Sequence, residues 1–238
     1  MITLEKKDSI YFLTMDAEEN RWNTTFVREI AEALDEIEND EGPGALITSS
    51  TNPKFFSNGL DLDWMQAPEN YPDGGDREVF GEEFMYLMGR MITLPIPTIC
   101  AINGHAFGAG FMFALSHDIR IMREDRGFLC ANEMQLGLPI PRPELALFKH
   151  KVPANAFFET VQLSRRWTGS EALNAGIIQG VSSLDELPEV AQSKAEELAP
   201  LANNRKNFGH QKEMLYGKNA AINLSHGPAH MLKNSKDF

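Results

Sequence analysis

Hydrophobic residues follow two spacings along this chain, one typical of strands and one typical of helices. Three short apolar runs, Ile2 to Leu4, Ile10 to Thr14 and Ala45 to Thr48, are bounded by polar or Gly-Pro turns, which predicts strands. In the segment Thr25 to Ile37 the apolar residues are three or four positions apart and acidic residues fill the other face, which predicts a helix. Two strands, a helix and a further strand in this order favour an α/β fold with a parallel sheet.

The same spacings continue along the chain. They predict strands over Thr98 to Ile102, Asp118 to Met122 and Gly127 to Cys130, and helices over Phe80 to Leu94 and Gly110 to Ser116. From Pro141 onward the chain is predicted to be mostly helical, over Glu144–Lys149, Ala154–Ser164, Ser170–Ala175, Glu186–Leu201 and Asn207–Ala221. We therefore expect an α/β core over residues 1–165 and a C-terminal helical region over residues 166–238 that serves in oligomerisation or as a lid.

Composition narrows the class of protein. With 238 residues, 42% of them hydrophobic, the chain can bury the core of one large α/β domain. No apolar run approaches the roughly 18 residues that a membrane-spanning helix needs, so no membrane span is expected. The formal charge of −12 argues against a nucleic-acid partner, because phosphate backbones are bound by clustered Lys and Arg.

Cysteine and histidine usage adds two expectations. Cys100 and Cys130 both lie in apolar segments, which favours a reducing compartment over a disulfide framework. The first residues lack the apolar core of a signal peptide and the last ones do not match a peroxisomal Ser-Lys-Leu ending, so we expect a cytoplasmic location. The six histidines form no His-Glu-x-x-His pair or Cys/His cluster, so no metal is predicted.

Two glycine-containing turns and one carboxylate carry the candidate chemistry. The turns, Phe55 to Leu62 and Asn103 to Gly110, each follow a predicted strand, and the second opens a helix. Backbone N–H groups left unpaired in such turns can hold a developing negative charge. Glu133 lies between apolar segments, which disfavours its ionised form and suits it to proton transfer. The structural alternative is that Glu133 is an exposed turn or capping residue.

Four segments together resemble the crotonase (enoyl-CoA hydratase/isomerase) superfamily over nearly the whole chain: Phe56–Leu62, Asn103–Gly110, Asn132–Leu138 and Trp167–Ile178. The resemblance implies a spiral core of ββα units with a C-terminal helical region, assembled as a homotrimer or hexamer. It also implies an acyl-CoA thioester substrate. Coenzyme A is then part of the substrate, and no separate cofactor is implied.

The resemblance also assigns site residues. It places the two backbone N–H donors to the thioester oxygen on Asn58 and Ala109, and the acid/base on Glu133. The remaining residues expected to bind the CoA ester are Ser57, Gly59, Leu60, Asp61, Gly108 and Lys212, the last through the CoA phosphates. The alternative for Lys212 is a solvated lysine at the surface. The candidate acyl-pocket walls are Phe55, Phe56, Phe107, Phe111, Met112 and Met134, with packing in the core as the alternative for each of them. The segment Ala67–Asp76 is expected to be a mobile loop that closes over the acyl chain.

One departure from the family pattern selects the reaction. Hydratases of the family carry two glutamates, and the first of them falls here on Met112. A single acid can still move a proton from C2 to C4 of a 3-enoyl-CoA through a dienolate, as in Δ3,Δ2-enoyl-CoA isomerases, which this pattern resembles. The alternatives are an enoyl-CoA hydratase or another single-acid acyl-CoA enzyme, such as a thioester hydrolase or decarboxylase, and a non-catalytic protein that binds CoA esters.

Overall fold

A computed structural model of the chain describes residues 1–218 and 226–238. The strands are β1 (Ile2–Lys7), β2 (Ile10–Met15), β3 (Ala45–Ser50), β4 (Phe55–Ser57), β5 (Thr98–Ile102), β6 (His105–Phe107), β7 (Ile119–Arg123), β8 (Leu129–Cys130) and β9 (Gly180–Ser182). The helices are α1 (Thr24–Asn39), α2 (Leu62–Gln66), α3 (Arg77–Ile92), α4 (Ala109–Leu115), α5 (Arg142–Lys151), α6 (Ala154–Val161), α7 (Gly169–Asn174), α8 (Leu187–Leu198), α9 (Arg205–Tyr216) and α10 (Pro228–Lys233). The end of the helix predicted over Asn207–Ala221 lies outside the described residues.

The larger sheet has six strands in the order β1-β2-β3-β5-β7-β9. The first two strands form an antiparallel hairpin, and every other neighbouring pair is parallel, with Ile10 opposite Ala45 and Ile99 opposite Ile119. Helix α1 begins at its cap Asn23, whose side chain accepts from the N–H of Phe26, and its apolar face is buried as its spacing predicts. The predicted α/β class and parallel sheet are confirmed.

The smaller sheet, β4-β6-β8, positions the cavity described below. Its three short strands are parallel, so their carboxyl ends meet at one edge. Beyond that edge, β4 leads to Leu60, β6 leads to Ala109 at the start of α4, and β8 leads to Glu133 in a 3-10 helix over Glu133–Leu136. The sequence pattern predicted turns rather than strands at β4 and β6, because three residues are too few to show an alternation.

The C-terminal part of the chain is not wholly helical, contrary to the expectation for residues 166–238. Strand β9 joins the larger sheet beside β7, and α8 packs against that sheet through Leu187, Ala191 and Ala195. The proposed division at residues 165 and 166 stays a prediction.

The segment Ala67 to Asp76, expected to be a loop, carries 3-10 helices at Pro68–Asn70 and Pro72–Gly74. Across residues 1–218 and 226–238, no helix has both the length and the apolar character needed to span a membrane.

Candidate active site

A cavity of about 390 Å³ opens at the edge of the smaller sheet. Its walls are largely apolar and come from separate elements, including Leu60 after β4, Phe80 and Phe84 on α3 and Met112 on α4. Met112 is only 4% exposed, so the position of the first hydratase glutamate is here a buried apolar wall. The cavity thus has the size and lining of a pocket for an apolar ligand with a few polar groups.

The turn before α4 exposes the amide of Ala109. Gly108 has a positive φ of 48°, and its own N–H donates to the carbonyl oxygen of Cys130 at 2.9 Å. Its carbonyl oxygen accepts from the N–H groups of Phe111 and Met112, which closes the first helical turn. Within the described residues no acceptor is found for the N–H of Ala109, which lines the cavity. The amide is thus available to a ligand, and its role as a donor stays a prediction.

The second predicted donor, Asn58, is already engaged. Its N–H donates to the carbonyl oxygen of Glu19 at 2.9 Å, and its side-chain Nδ2 donates to Glu19 Oε2 at 2.7 Å. The assignment of an oxyanion donor to Asn58 is therefore contradicted, because an amide that is already paired inside the protein is not free for a ligand. The residue still lines the cavity and fixes the turn.

Leu60, two residues further on, has an unpaired backbone N–H, whereas that of Asn58 is paired. Trp22 flanks it on both sides, donating to the carbonyl oxygen of Gly59 and accepting from the N–H of Asp61, each at 2.9 Å. This leaves the N–H of Leu60 with no partner in the described part of the chain. Gly59 has φ +83°, and a Cβ there would lie 2.8 Å from the carbonyl oxygen of Phe107 and 3.9 Å from the nitrogen of Ala109. The two turns are thus in contact, and the free amides are those of Leu60 and Ala109.

Glu133 lies beside these amides. A Cβ placed on Gly108 would be 3.2 Å from Glu133 Oε1, so the carboxyl packs on the turn that presents Ala109. Its Oε2 is buried and has no hydrogen-bond partner among the described residues. Burial raises the pKa of the Glu133 carboxyl above its usual range. A carboxyl in this state can act as a general base next to the two amides, in line with the functional interpretation rather than the exposed-turn alternative.

Glu144 is a second acid on the same cavity, and sequence reasoning missed it. It stands in the first turn of α5, is 8% exposed and lines the cavity. Burial, together with the charge of Glu133, raises the pKa of Glu144 to about 8. Its spacing carried a signal, since Glu144, Leu147 and Phe148 are at positions i, i+3 and i+4, and all three are buried.

Two of the predicted ligand-binding residues serve the fold instead. Ser57 is fully buried, and its Oγ donates to the carbonyl oxygen of Asn20 at 2.7 Å and accepts from Trp22 Nε1 at 3.0 Å. Asp61 caps α2 by accepting from the N–H of Trp64 at 3.2 Å. Neither lines the cavity, whereas the predicted Gly59, Leu60 and Gly108 do.

The expectation that Lys212 meets the CoA phosphates is also wrong. This residue is 5% exposed, and its Nζ donates to Asp118 Oδ2 at 2.7 Å and to the carbonyl oxygen of Ile96 at 3.0 Å. Its charge is thus neutralised in the interior, away from the cavity lining. Of the six predicted acyl-pocket walls, Met112 lines the cavity, and the aromatic walls come from Phe80 and Phe84 of α3 instead.

Residues 5–224 match the sequence model of the enoyl-CoA hydratase/isomerase family. The chain belongs to the enoyl-CoA hydratase/isomerase family. Among its relatives are two proteins of Arabidopsis thaliana. Enoyl-CoA delta isomerase 3 is 33% identical over 220 residues, which cover 91% of this chain and 92% of the relative. The peroxisomal enoyl-CoA delta isomerase 2 is 35% identical over 185 residues, or 76% of this chain and 77% of the relative.

Solved structures of the family share the fold. The probable enoyl-CoA hydratase of Mycobacterium tuberculosis matches with a TM-score of 0.82 at 24% identity and covers 98% of this chain and 92% of that one. The enoyl-CoA hydratase of Bacillus halodurans matches with a TM-score of 0.80 at 21% identity, over 99% and 90% of the two chains. The predicted crotonase fold is confirmed, and the chain is an enzyme of the crotonase superfamily.

The family assignment sets the substrate class. Enzymes of this family act on acyl-CoA thioesters, whose carbonyl oxygen takes up negative charge when a proton leaves the neighbouring carbon. The predicted trimer or hexamer, the cytoplasmic location and the absence of a separate cofactor stay predictions.

Proposed function

We propose that this enzyme converts a 3-enoyl-CoA to the 2-enoyl-CoA through a dienolate. The observation that carries the proposal is the unpaired carboxyl of Glu133 packed against the turn that presents Ala109, with the free amide of Leu60 in the adjoining turn. Relatives named as enoyl-CoA delta isomerases, at 33% and 35% identity, favour the same reaction.

The chemistry has two parts. Glu133 removes a proton from C2, and the electrons of the C2–H bond move toward the thioester carbonyl to give a dienolate. The N–H groups of Leu60 and Ala109 donate to the dienolate oxygen, and each such donor contributes about 3 to 4 kcal/mol of transition-state stabilisation. A positioned base contributes about 10² to 10⁴ in rate. Protonation at C4 then gives the conjugated product.

The wall at Met112 supports isomerisation over water addition. In hydratases of the family a glutamate at this position helps to hold the attacking water, whereas Met112 is an apolar side chain that cannot. The dienolate is an intermediate that water must not quench, so a mostly apolar cavity suits it.

Hydration is the second candidate, and Glu144 is the observation that favours it. This residue brings a second carboxyl to the cavity that already holds Glu133. Two carboxyls can position and activate a water molecule for addition to a 2-enoyl-CoA. The two reactions use different substrates, so they can be separated directly.

The test is to incubate the purified protein with a 3-enoyl-CoA and, separately, with the matching 2-enoyl-CoA. Gain of conjugated-thioester absorbance from the first substrate supports the isomerase, and loss of it from the second supports the hydratase. Glu133→Gln should abolish isomerisation and leave CoA-ester binding nearly unchanged, while Glu32→Gln, at an exposed position on α1, is the matched control. Binding of both esters with no turnover across a range of chain lengths would favour a non-catalytic CoA-ester protein and refute the proposal.

A further inference from the structure

Two carboxyls open onto one cavity, and no basic residue in the described part of the chain forms a salt bridge with either of them. Glu133 reaches it from the segment after β8, and Glu144 reaches it from α5, which packs on α4 through Phe148 and Phe111. No described residue forms a hydrogen bond with the side chain of Glu144. Arg21 is the basic residue among those described on the lining, and it is paired with Glu19 Oε2 at 2.9 Å and Asp63 Oδ2 at 3.2 Å.

The two acids therefore hold their protons unequally. Two negative charges in one weakly solvated cavity repel each other, so the second ionisation is suppressed. Burial raises the pKa of both carboxyls, and the charge of Glu133 raises that of Glu144 further, to about 8. Glu133 therefore ionises before Glu144, and the cavity can hold a carboxylate on Glu133 while Glu144, with a pKa of about 8, keeps its proton. This is the arrangement of a base facing an acid.

We propose that Glu144 donates the proton that C4 of the substrate receives, while Glu133 removes the proton from C2. The proposal rests on the isomerase function proposed above. It assigns the two proton transfers, at C2 and at C4, to two different carboxyls instead of one. Glu133 lies beside the amide of Ala109, which places it near the thioester end of the substrate and hence near C2. Glu144 enters from a separate helix, so Glu133 does not have to serve both carbons.

The step balances without any redox partner. The C2–H bond breaks and its proton passes to Glu133, while its electrons form the C1–C2 double bond of the dienolate. The C1–O double bond then re-forms, the C2–C3 double bond is made, and the electrons of the C3–C4 double bond take the proton of Glu144 to form the new C4–H bond. Glu133 is left protonated and Glu144 ionised. Release of the product allows Glu133 to return its proton and Glu144 to regain one through water.

The experiment compares Glu144→Gln with Glu133→Gln in D₂O and follows two readouts by mass spectrometry. One is isomerisation, and the other is deuterium entry at C2 of the unreacted 3-enoyl-CoA. Glutamine has the shape and charge of a protonated glutamate, so Glu144→Gln should fold. We expect it to isomerise at least about 100-fold more slowly and still exchange C2 hydrogen, because Glu133 remains. Glu133→Gln should show neither isomerisation nor deuterium entry at C2, and the control Glu32→Gln should show both.

A single-turnover measurement locates the proton directly. With a substrate carrying deuterium at C2, run in H₂O, the wild type should place protium at C4. Transfer of deuterium from C2 to C4 overturns the proposal and restores the relay through Glu133 alone. Wild-type isomerisation by Glu144→Gln also overturns it, as does loss of both readouts by that variant. Absence of isomerisation by the wild type with every chain length refutes the proposed function, and this inference with it.

Discussion

The carboxyl of Glu133 occupies the space beside Gly108, since a Cβ on Gly108 would lie 3.2 Å from Glu133 Oε1. The glycine is needed twice, once for its φ of 48° and once for the space that the carboxyl occupies. The base and the turn that presents the amide of Ala109 therefore form one packed unit.

Gly108→Ala should lower kcat by about 10-fold, because the added methyl group crowds Glu133 Oε1 and Asn132 Oδ1, each 3.2 Å from its position. The shift needed is smaller than the displacement of about 1 Å that can cost 10²-fold. Steady-state kinetics on a 3-enoyl-CoA measures this. Gly42→Ala is the matched control, since Gly42 has φ +82° with nothing within 4 Å of its Cβ position. Both positions have a positive φ, which strains any residue that carries a Cβ, so equal kinetic losses would show that contact with Glu133 does not matter.

Replacing the amide at Leu60 by an ester, through incorporation of the α-hydroxy acid, removes the proposed donor and keeps the side chain. We expect a loss of about 10²–10³ in kcat, the usual effect of removing one oxyanion donor. The same replacement at Asn58 removes the hydrogen bond to Glu19 instead. It should lower the free energy of unfolding by about 1 kcal/mol and leave kcat nearly unchanged. The reverse order of kinetic effects would return the donor role to Asn58.

Glu144 should make the folded state less stable as the pH rises. Its pKa is about 8 in the folded protein against 4.5 for the free side chain, so the folded state holds this proton over a range in which the unfolded state has released it. Stability therefore falls between these two pH values. Glu144→Gln should raise Tm at pH 8, by about 2–4 °C for each kcal/mol gained, with a smaller gain at pH 5. Thermal unfolding of both proteins at the two pH values measures the difference, and equal gains would contradict the assignment.

The buried pair of Lys212 and Asp118 should matter for stability rather than for CoA binding. Lys212→Met leaves a buried carboxylate without its cation, which costs about 3–5 kcal/mol. Adding Asp118→Asn should recover part of this loss, and denaturant unfolding of both variants measures it. The KM for the CoA ester should not change. A raised KM at unchanged stability would instead support the phosphate contact that the structure argues against.

The sequence allowed correct predictions where a local pattern of residues determines the helix, strand or turn. The spacing of apolar residues located α1 and the central strands, and the motifs located Ala109, Glu133 and the apolar wall at Met112. The free amide in the first turn lies two residues after the predicted one, because the pairing of Trp22 with Gly59 and Asp61 determines which amide is free. That pairing joins distant segments and leaves no local signal.

The same limit applies to the charged residues. Lys212 was expected at the surface because its partner Asp118 is 94 positions away in the chain. Glu144 was missed for a related reason: its helical spacing with Leu147 shows a buried face, but only the folded chain brings that face to the cavity of Glu133.

The smaller sheet has a consequence for how new specificities arise in this enzyme. Its three strands lead to Leu60, Ala109 and Glu133, so hydrogen bonds between strands hold the proposed reacting groups in register. The aromatic walls Phe80 and Phe84 belong to a different element, α3. Substitutions on that helix can reshape the acyl compartment for longer, shorter or branched chains without disturbing the catalytic frame, and selection can therefore act on chain preference separately from chemistry.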